Sequence, residues 1–312
     1  MPEVVGRLAP SPTGRLHLGH ARSFLLAWWS ARSRGGRVVV RIEDLDATRV
    51  KPGAVDLVLE DLAWLGLDWD GEPLLQSTRK DAHDAAIADL AGRGLAYPCI
   101  CTRREIEEAA SAPHADGGET PYPGTCSGRF ASAEEARARS GRDPAMRLRV
   151  PTGSVEVVDG VLGTVDVDVA AAAGDFVIAR KDGSAAYQLA TPLDDAFQGV
   201  TEVVRGDDLV PSAARQHLVC EALGLDVPAQ FHVPLVHEAD GRRLAKRAGS
   251  LSLQELRAAG ARSEEVVLWA ARVSGLGGAE CPAPAAAWLD GFRWERVPTE
   301  RVLLEGGAAP LF

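Results

Sequence analysis

The 312-residue chain contains no apolar run near the ~18 residues a spanning helix needs, so no membrane partner is expected. Its opening, Met-Pro-Glu-Val-Val, lacks a basic n-region and an apolar h-region, so a cytoplasmic protein is expected. Cysteine is sparse. The five residues are an odd number, with Cys99 and Cys101 two positions apart, which suits a reducing compartment and metal binding better than a disulfide framework. Positive charge is also short: 34 Lys and Arg against 44 Asp and Glu leave a net charge of −10, which argues against indiscriminate nucleic-acid binding through a wholly basic surface. A local basic face stays open, because arginine clusters at Arg22, Arg32, Arg34 and Arg37, from Arg129 to Arg149, and around Arg242 to Arg247. Taken one at a time, such clusters are expected to be ordinary solvated charge. No internal repeat is apparent.

What is present is a globular composition, 46% hydrophobic and 25% charged, long enough for two domains or one domain with a large insertion. The most informative stretch is Arg7-Leu-Ala-Pro-Ser-Pro-Thr-Gly-Arg-Leu-His17-Leu-Gly19-His20, a loop that runs into a helix beginning near Ala21. Two imidazoles beside a bare glycine let an adenine ring lie on backbone while ring N–H groups reach phosphate oxygens. The helix N-terminus faces the same anion. The plain alternative is a pair of surface histidines capping a core helix.

Strands and helices alternate along the chain. Val4–Leu8 is β-prone, the first helix stops at Gly35-Gly36, Val38–Ile42 is a strand followed by the polar turn Glu43-Asp44-Leu45-Asp46, and Pro52 stands where a helix with Val55, Val58, Leu59, Leu62 and Leu65 begins. This β-α-β-α order predicts a parallel sheet with helices on its faces and a ligand at the carboxyl ends of its strands. Cysteine, proline, glycine and serine break the rhythm from about Tyr97 to Arg149, which reads as an insertion. Short strands and turns then lead to Asp175–Arg180, to Tyr187-Gln-Leu-Ala and to Thr201–Asp208, where the sheet resumes; from about Ser250 the pattern is helical, interrupted by a loop from Gly275 to Ala287.

Four motifs in order, Arg7–Gly14 with Leu16–His20, Arg41-Ile-Glu-Asp-Leu-Asp, Val203-Val-Arg-Gly-Asp and Asp240-Gly-Arg-Arg-Leu-Ala-Lys246-Arg247, resemble the catalytic half of class I glutamyl-tRNA synthetases. Cys99-Ile-Cys101, Tyr122-Pro-Gly-Thr-Cys126 and the run from Ala186 to Thr201 resemble more closely the family of truncated paralogues, the glutamyl-queuosine tRNA(Asp) synthetases. The resemblance spans residues 4 to about 250, and the remaining residues are too few for the large anticodon-binding domain of the full-length enzymes. It implies an α/β class I aminoacyl-tRNA synthetase fold: a Rossmann-like parallel sheet in halves 1–97 and 151–249, a zinc-bearing insertion at 98–150 and a short helical C-terminal extension at 250–312.

Glutamate needs cations for its carboxylates and an anion for its ammonium group, and Arg7, Arg205 and Glu43 supply these charges; the planar fork of arginine suits carboxylate. The resemblance assigns carboxylate to Arg7 and Arg205 with the Tyr187 hydroxyl, a hydrogen bond to Ser11 and the ammonium to Glu43. A salt bridge between Glu43 and one of these arginines is the structural alternative. His17, Gly19 and His20 would bind ATP, with His17, His20 and Lys246 as catalytic groups. Arg243-Leu-Ala-Lys246-Arg247 corresponds to the mobile KMSKS loop, with arginine for its first lysine and alanine for its serine; Lys246, helped by Arg243, would neutralise charge building on the phosphates. The substrate carboxylate is already a nucleophile, so positioning, Mg²⁺ bound with ATP and electrostatics carry the step.

Three cysteines in the insertion suit one structural zinc. The residues alone favour His114 as the fourth ligand, whereas the resemblance implies Tyr122 beside Cys99, Cys101 and Cys126. Cys220 and Cys281 have no partners at metal spacing and are expected to be buried apolar residues. The implied reaction activates L-glutamate with ATP and transfers it to the queuosine base of tRNA(Asp), performed by a monomer. The alternatives are a short glutamyl-tRNA synthetase that charges a 3′ end, and a catalytically dead paralogue that binds tRNA.

Overall fold

In the computed structural model, which describes residues 3–109, 120–238, 252–277 and 281–304, the chain begins with the expected alternation. Strand β1 (Val5–Leu8) leads into helix α1 (Leu18–Arg32), and β2 (Arg37–Ile42) returns parallel to β1 with Val5 opposite Arg37. Burial is nearly continuous along both strands, as in parallel strands covered on both faces. Helix α2 (Ala54–Trp64) starts just beyond Pro52, behind Gly53, whose φ of 74° is the left-handed conformation that glycine adopts without strain. Strand β3 (Leu74–Leu75) then pairs parallel with β2.

Helix α3 (Lys80–Gly92) enters β4 (Ala96–Cys99), and α4 (Arg103–Ala109), α5 (Ala133–Ser140) and β5 (Ala145–Leu148) come after it. A hairpin of β6 (Val155–Asp159) and β7 (Gly163–Val167) comes next, then α6 (Val169–Ala172) and β8 (Val177–Ala179). Strands β4, β5 and β8 form their own antiparallel sheet. The Asp175–Arg180 run therefore joins the strands on either side of the cysteine-bearing segment. Tyr187-Gln-Leu-Ala begins a helix, α7 (Tyr187–Gln198), which buries Leu189 and Ala190 in a core shared with α3 and α8 (Val210–Leu223).

The parallel sheet resumes at β9 (Glu202–Gly206), which pairs with β10 (Ala229–Val233), and β10 pairs in turn with β6. The two groups of parallel strands meet where the Val5 carbonyl accepts the Thr201 N–H at 3.0 Å. The carboxyl ends of β1, β2 and β9 carry Arg7, Ile42 next to Glu43, and Arg205, so they open toward one side.

After β11 (Val236–Glu238), helices α9 (Leu253–Ala258) and α10 (Ser263–Val273) pack on α1 in one core that runs from Leu8 to Leu304. Trp29 is fully buried there and its indole N–H donates to the Ala285 carbonyl at 2.9 Å. The C-terminal region is not helical throughout, since β12 (Val302–Leu304) pairs parallel with β11. Val302 and Leu304 are buried and Leu303 is exposed, a period-two pattern too short to stand out in the sequence. No described helix is long and apolar enough to cross a membrane.

Candidate active site

A cleft of about 510 Å³ opens at the carboxyl ends of β1, β2 and β9, and its walls include Arg7, Ser11, His17, Gly19, His20, Glu43, Tyr187 and Arg205. All the expected glutamate and ATP residues among the described positions thus meet in one place. Arg243, Ala245, Lys246 and Arg247 lie outside the described residues, as does His114.

His17 caps α1. Its Nδ1 accepts the Gly19 N–H at 3.2 Å, and the His20 Nδ1 accepts the His17 N–H at 3.2 Å. In a neutral ring this leaves the proton on Nε2, so each histidine is set as an Nε2–H donor in the cleft wall. The two rings stand 3.8 Å apart between centroids. A Cβ on residue 19 would lie 3.1 Å from the His17 ring, so glycine leaves the capping ring in place and the backbone uncovered.

Charge alternates behind the cleft wall that carries Arg7 and Glu43. Arg7 Nε donates to Asp195 Oδ1 at 3.1 Å, Arg41 Nη1 donates to the same oxygen, and Arg41 Nη2 reaches Glu43 Oε1 at 3.4 Å. Arg41 is the ion partner of Glu43; neither Arg7 nor Arg205 pairs with it directly. Burial pulls Arg7 below the ordinary arginine range in spite of Asp195. Burial also opposes the charge on Arg41, but Asp195 and Glu43 outweigh it and hold the group above its ordinary value. Burial raises the Glu43 carboxyl above the usual carboxylate range against the pull of Arg41 and Arg7. The Pro10 carbonyl accepts the Glu43 N–H at 3.0 Å, which ties the loop bearing the exposed Ser11 to the end of β2.

Arg205 is 6% exposed, and among the described residues no carboxylate pairs with it. Its partners are neutral: His232 Nε2 at 3.0 Å, Gln216 Oε1 at 2.8 Å, Gln230 Oε1 at 3.1 Å and the Tyr187 hydroxyl at 3.3 Å. A buried guanidinium held only by neutral acceptors is oriented but not neutralised, which suits an incoming anion. Arg41 and Asp195 join the expected residues here, although in the sequence they stand out only as members of motifs: Arg41 opens Arg41–Asp46, and Asp195 lies in the run from Ala186 to Thr201. His232, Gln216 and Gln230 join them too, and no local pattern marks these three.

A second cleft of about 740 Å³ shares Tyr187 with the first and extends to the cysteines, lined by Arg103, Arg147, Arg180, Lys181 and Arg215. Two arginines from the clusters expected to be solvated are in fact buried: Arg22, held by the Pro234 carbonyl at 2.7 Å, and Arg147, stacked over the Tyr122 ring at 3.8 Å.

Cys99, at the end of β4, meets Cys101 and Cys126 with all three Sγ atoms within 4.8 Å of one another, a group that could hold a metal ion. Cys101 and Cys126 Sγ are 3.5 Å apart, close to the ~3.8 Å edge of a zinc–thiolate tetrahedron built from ~2.3 Å bonds. The Tyr122 hydroxyl is 3.3 Å from Cys99 Sγ and 3.9 Å from Cys101 Sγ, and it accepts the Cys126 N–H at 2.7 Å. Burial and the neighbouring Cys99 push the Cys101 thiol up to about 12, whereas at Cys126 burial is outweighed by hydrogen bonds from the Ile100 backbone, Tyr122 and the other two cysteines, which hold its thiol below the ordinary value. Gly174 sets Tyr122 in place: its φ is 65° and a Cβ there would meet the Tyr122 carbonyl oxygen at 2.3 Å. Cys220 is buried as expected, whereas Cys281 is exposed.

The sequence of residues 3–276 matches the family of class I tRNA synthetases (E and Q), catalytic domain, and the chain belongs to that family. Its similarity is narrower than the class: five relatives named glutamyl-Q tRNA(Asp) synthetase are 43–48% identical to it. That of Rhodopirellula baltica is 44% identical over 98% of each chain. The glutamate–tRNA ligase of Azorhizobium caulinodans is 42% identical, over 82% of this chain and 54% of the ligase. Among solved structures, a glutamate tRNA ligase from Elizabethkingia meningosepticum in complex with its amino acid superposes with a TM-score of 0.82 at 25% identity, over 96% of this chain and 67% of that one.

Proposed function

We propose that this protein activates L-glutamate with ATP and transfers it to the queuosine base of tRNA(Asp). The observation that carries the reading is one cleft lined by an anion-seeking Arg205, by Arg7 and Glu43, which Asp195 and Arg41 brace from behind, and by the His17/His20 donors. Arg7, Arg205 and Tyr187 hold carboxylate, Ser11 adds a hydrogen bond and Glu43 takes the ammonium group. His17, Gly19 and His20 receive ATP, which arrives with Mg²⁺, and Lys246 with Arg243 meets the phosphates.

In the first step a glutamate carboxylate oxygen attacks the α-phosphorus, the bond to pyrophosphate breaks, and glutamyl-adenylate forms. The nucleophile is already ionised, so the residues orient it and balance charge without acting as a general base. In the second step a hydroxyl of the queuosine base attacks the activated carbonyl and AMP leaves. The basic cleft beyond Tyr187 offers the nucleic acid a route to that carbonyl. Relatives named for this reaction match along 78–98% of their length, against 54% for the glutamate–tRNA ligase, which favours it over 3′-end charging.

Cys99, Cys101, Cys126 and Tyr122 would hold one zinc, which staples an insertion whose own buried cluster is small. A tRNA substrate supports a cytoplasmic location. The first half of the reading is tested by glutamate-dependent ATP–pyrophosphate exchange without tRNA. Exchange is expected, and Lys246→Ala should slow it about 10²–10³-fold, as for loss of one transition-state charge contact. Absence of exchange at saturating glutamate would overturn that half.

A further inference from the structure

Three neighbouring strands place Asp159, His232 and Arg205 in a row. His232 on β10 is the register partner of Arg205 on β9, and β6 on the other side of β10 ends in Asp159. His232 is fully buried. Its Nδ1 lies 2.6 Å from Asp159 Oδ2, while its Nε2 receives the Arg205 Nε–H at 3.0 Å. Asp159 is itself fixed by the N–H groups of Val161 and Leu162, each at 2.9 Å.

The hydrogen-bond directions select one form of the ring. A carboxylate at Nδ1 needs an Nδ1–H, and an arginine Nε–H at Nε2 needs a bare nitrogen, so the ring is neutral with its proton on Nδ1. Burial and the neighbouring Arg205 both push the imidazolium below its ordinary value, against Asp159, which keeps the ring neutral. With Nε, both Nη1 hydrogens and one Nη2 hydrogen occupied, Arg205 retains one Nη2 hydrogen, beside the proton of Tyr187, to offer a carboxylate.

We propose that His232, with its tautomer set by Asp159, is a positioning residue that fixes the plane of the Arg205 guanidinium for the glutamate carboxylate. This rests on the reading of Arg205 as a carboxylate holder. Asp159→Asn would present an N–H to Nδ1 and drive the ring proton to Nε2, where it opposes the Arg205 Nε–H. His232→Asn keeps a donor for Asp159 and removes the acceptor for Arg205; His232→Gln keeps the acceptor and removes the donor.

The test measures the glutamate Kd by calorimetry, and the KM values for glutamate and ATP in pyrophosphate exchange, for these variants and for Arg205→Lys. His232→Asn and Asp159→Asn should weaken glutamate about 10–100-fold, the effect of losing a buried hydrogen bond to a charged group, with the KM for ATP unchanged. His232→Gln should recover most of that loss. Equal losses for the Asn and Gln variants, or glutamate and ATP weakened together, would overturn the positioning role. If Arg205→Lys leaves the glutamate Kd unchanged, the reading of Arg205 itself fails. If Arg205→Lys weakens glutamate and His232→Asn does not, only the positioning proposal fails. Independently of the variants, ¹⁵N-histidine NMR of the unaltered protein should show His232 Nε2 unprotonated. The Leu209 carbonyl also faces the ring, and an Nε2–H turned toward it would contradict the proposal.

Discussion

Arg7 is held from behind by Asp195, with Nε 3.1 Å from Oδ1 and both side chains 5% exposed. The same oxygen serves Arg41, so one carboxylate on α7 aligns two buried cations, and Arg41 in turn braces Glu43. Asp195→Asn should therefore act on both folding and substrate. Leaving two buried guanidinium groups short of an anion is expected to cost about 3–5 kcal/mol, read by urea unfolding, with a higher KM for glutamate in whatever folds. A loss below ~1 kcal/mol would show that the two arginines are balanced elsewhere.

Glu43 gives a pH signature. Burial raises its carboxyl above the ordinary value of 4.5, and only the ionised form can hold an ammonium group. Glutamate binding should weaken on acidification while the pH is still above 4.5, and Glu43→Gln should bind poorly at every pH with that acid limb gone. For stability the sign comes from linkage: a raised folded pKa means the Glu43 contribution is fully present below the unfolded value and is lost as pH rises through the folded one. An unchanged acid limb in Glu43→Gln would assign it to another group.

The cysteine cluster predicts metal content. Protein purified without chelator should carry one zinc per chain, and Cys99→Ser should lose both the metal and several degrees of Tm. Full zinc content in Cys99→Ser would contradict the assignment. Tyr122→Phe compared with His114→Ala decides the fourth ligand, and the 3.3 Å approach of the Tyr122 hydroxyl to Cys99 Sγ predicts that the tyrosine change is the one that releases metal.

Much of this site is legible in the sequence because its backbone-determined parts are local. His17, Gly19 and His20 fall within four residues and form a cap whose geometry a short motif can encode. Cys99 and Cys101 are similarly close, and the β1–α1–β2 order comes from periodicity and turn residues. What stayed hidden is set by topology. Asp195 reaches Arg7 across 188 positions, and Asp159 reaches His232 across 73, so neither has a spacing that could announce it. Nothing local shows that Val177–Ala179 pairs antiparallel with β5, and Val302–Leu304 is too short for its alternation to register.

Whether the glutamyl group goes to the queuosine base or to a 3′ terminus is read by locating labelled glutamate after charging purified tRNAs. Incubation with ATP and radiolabelled glutamate, then nuclease digestion, should place the label on the wobble nucleotide of tRNA(Asp) that carries queuosine, with none on the same transcript lacking the modification. Label on the 3′ terminal adenosine of unmodified tRNA(Glu) would rule out transfer to queuosine and make the protein a short glutamyl-tRNA synthetase.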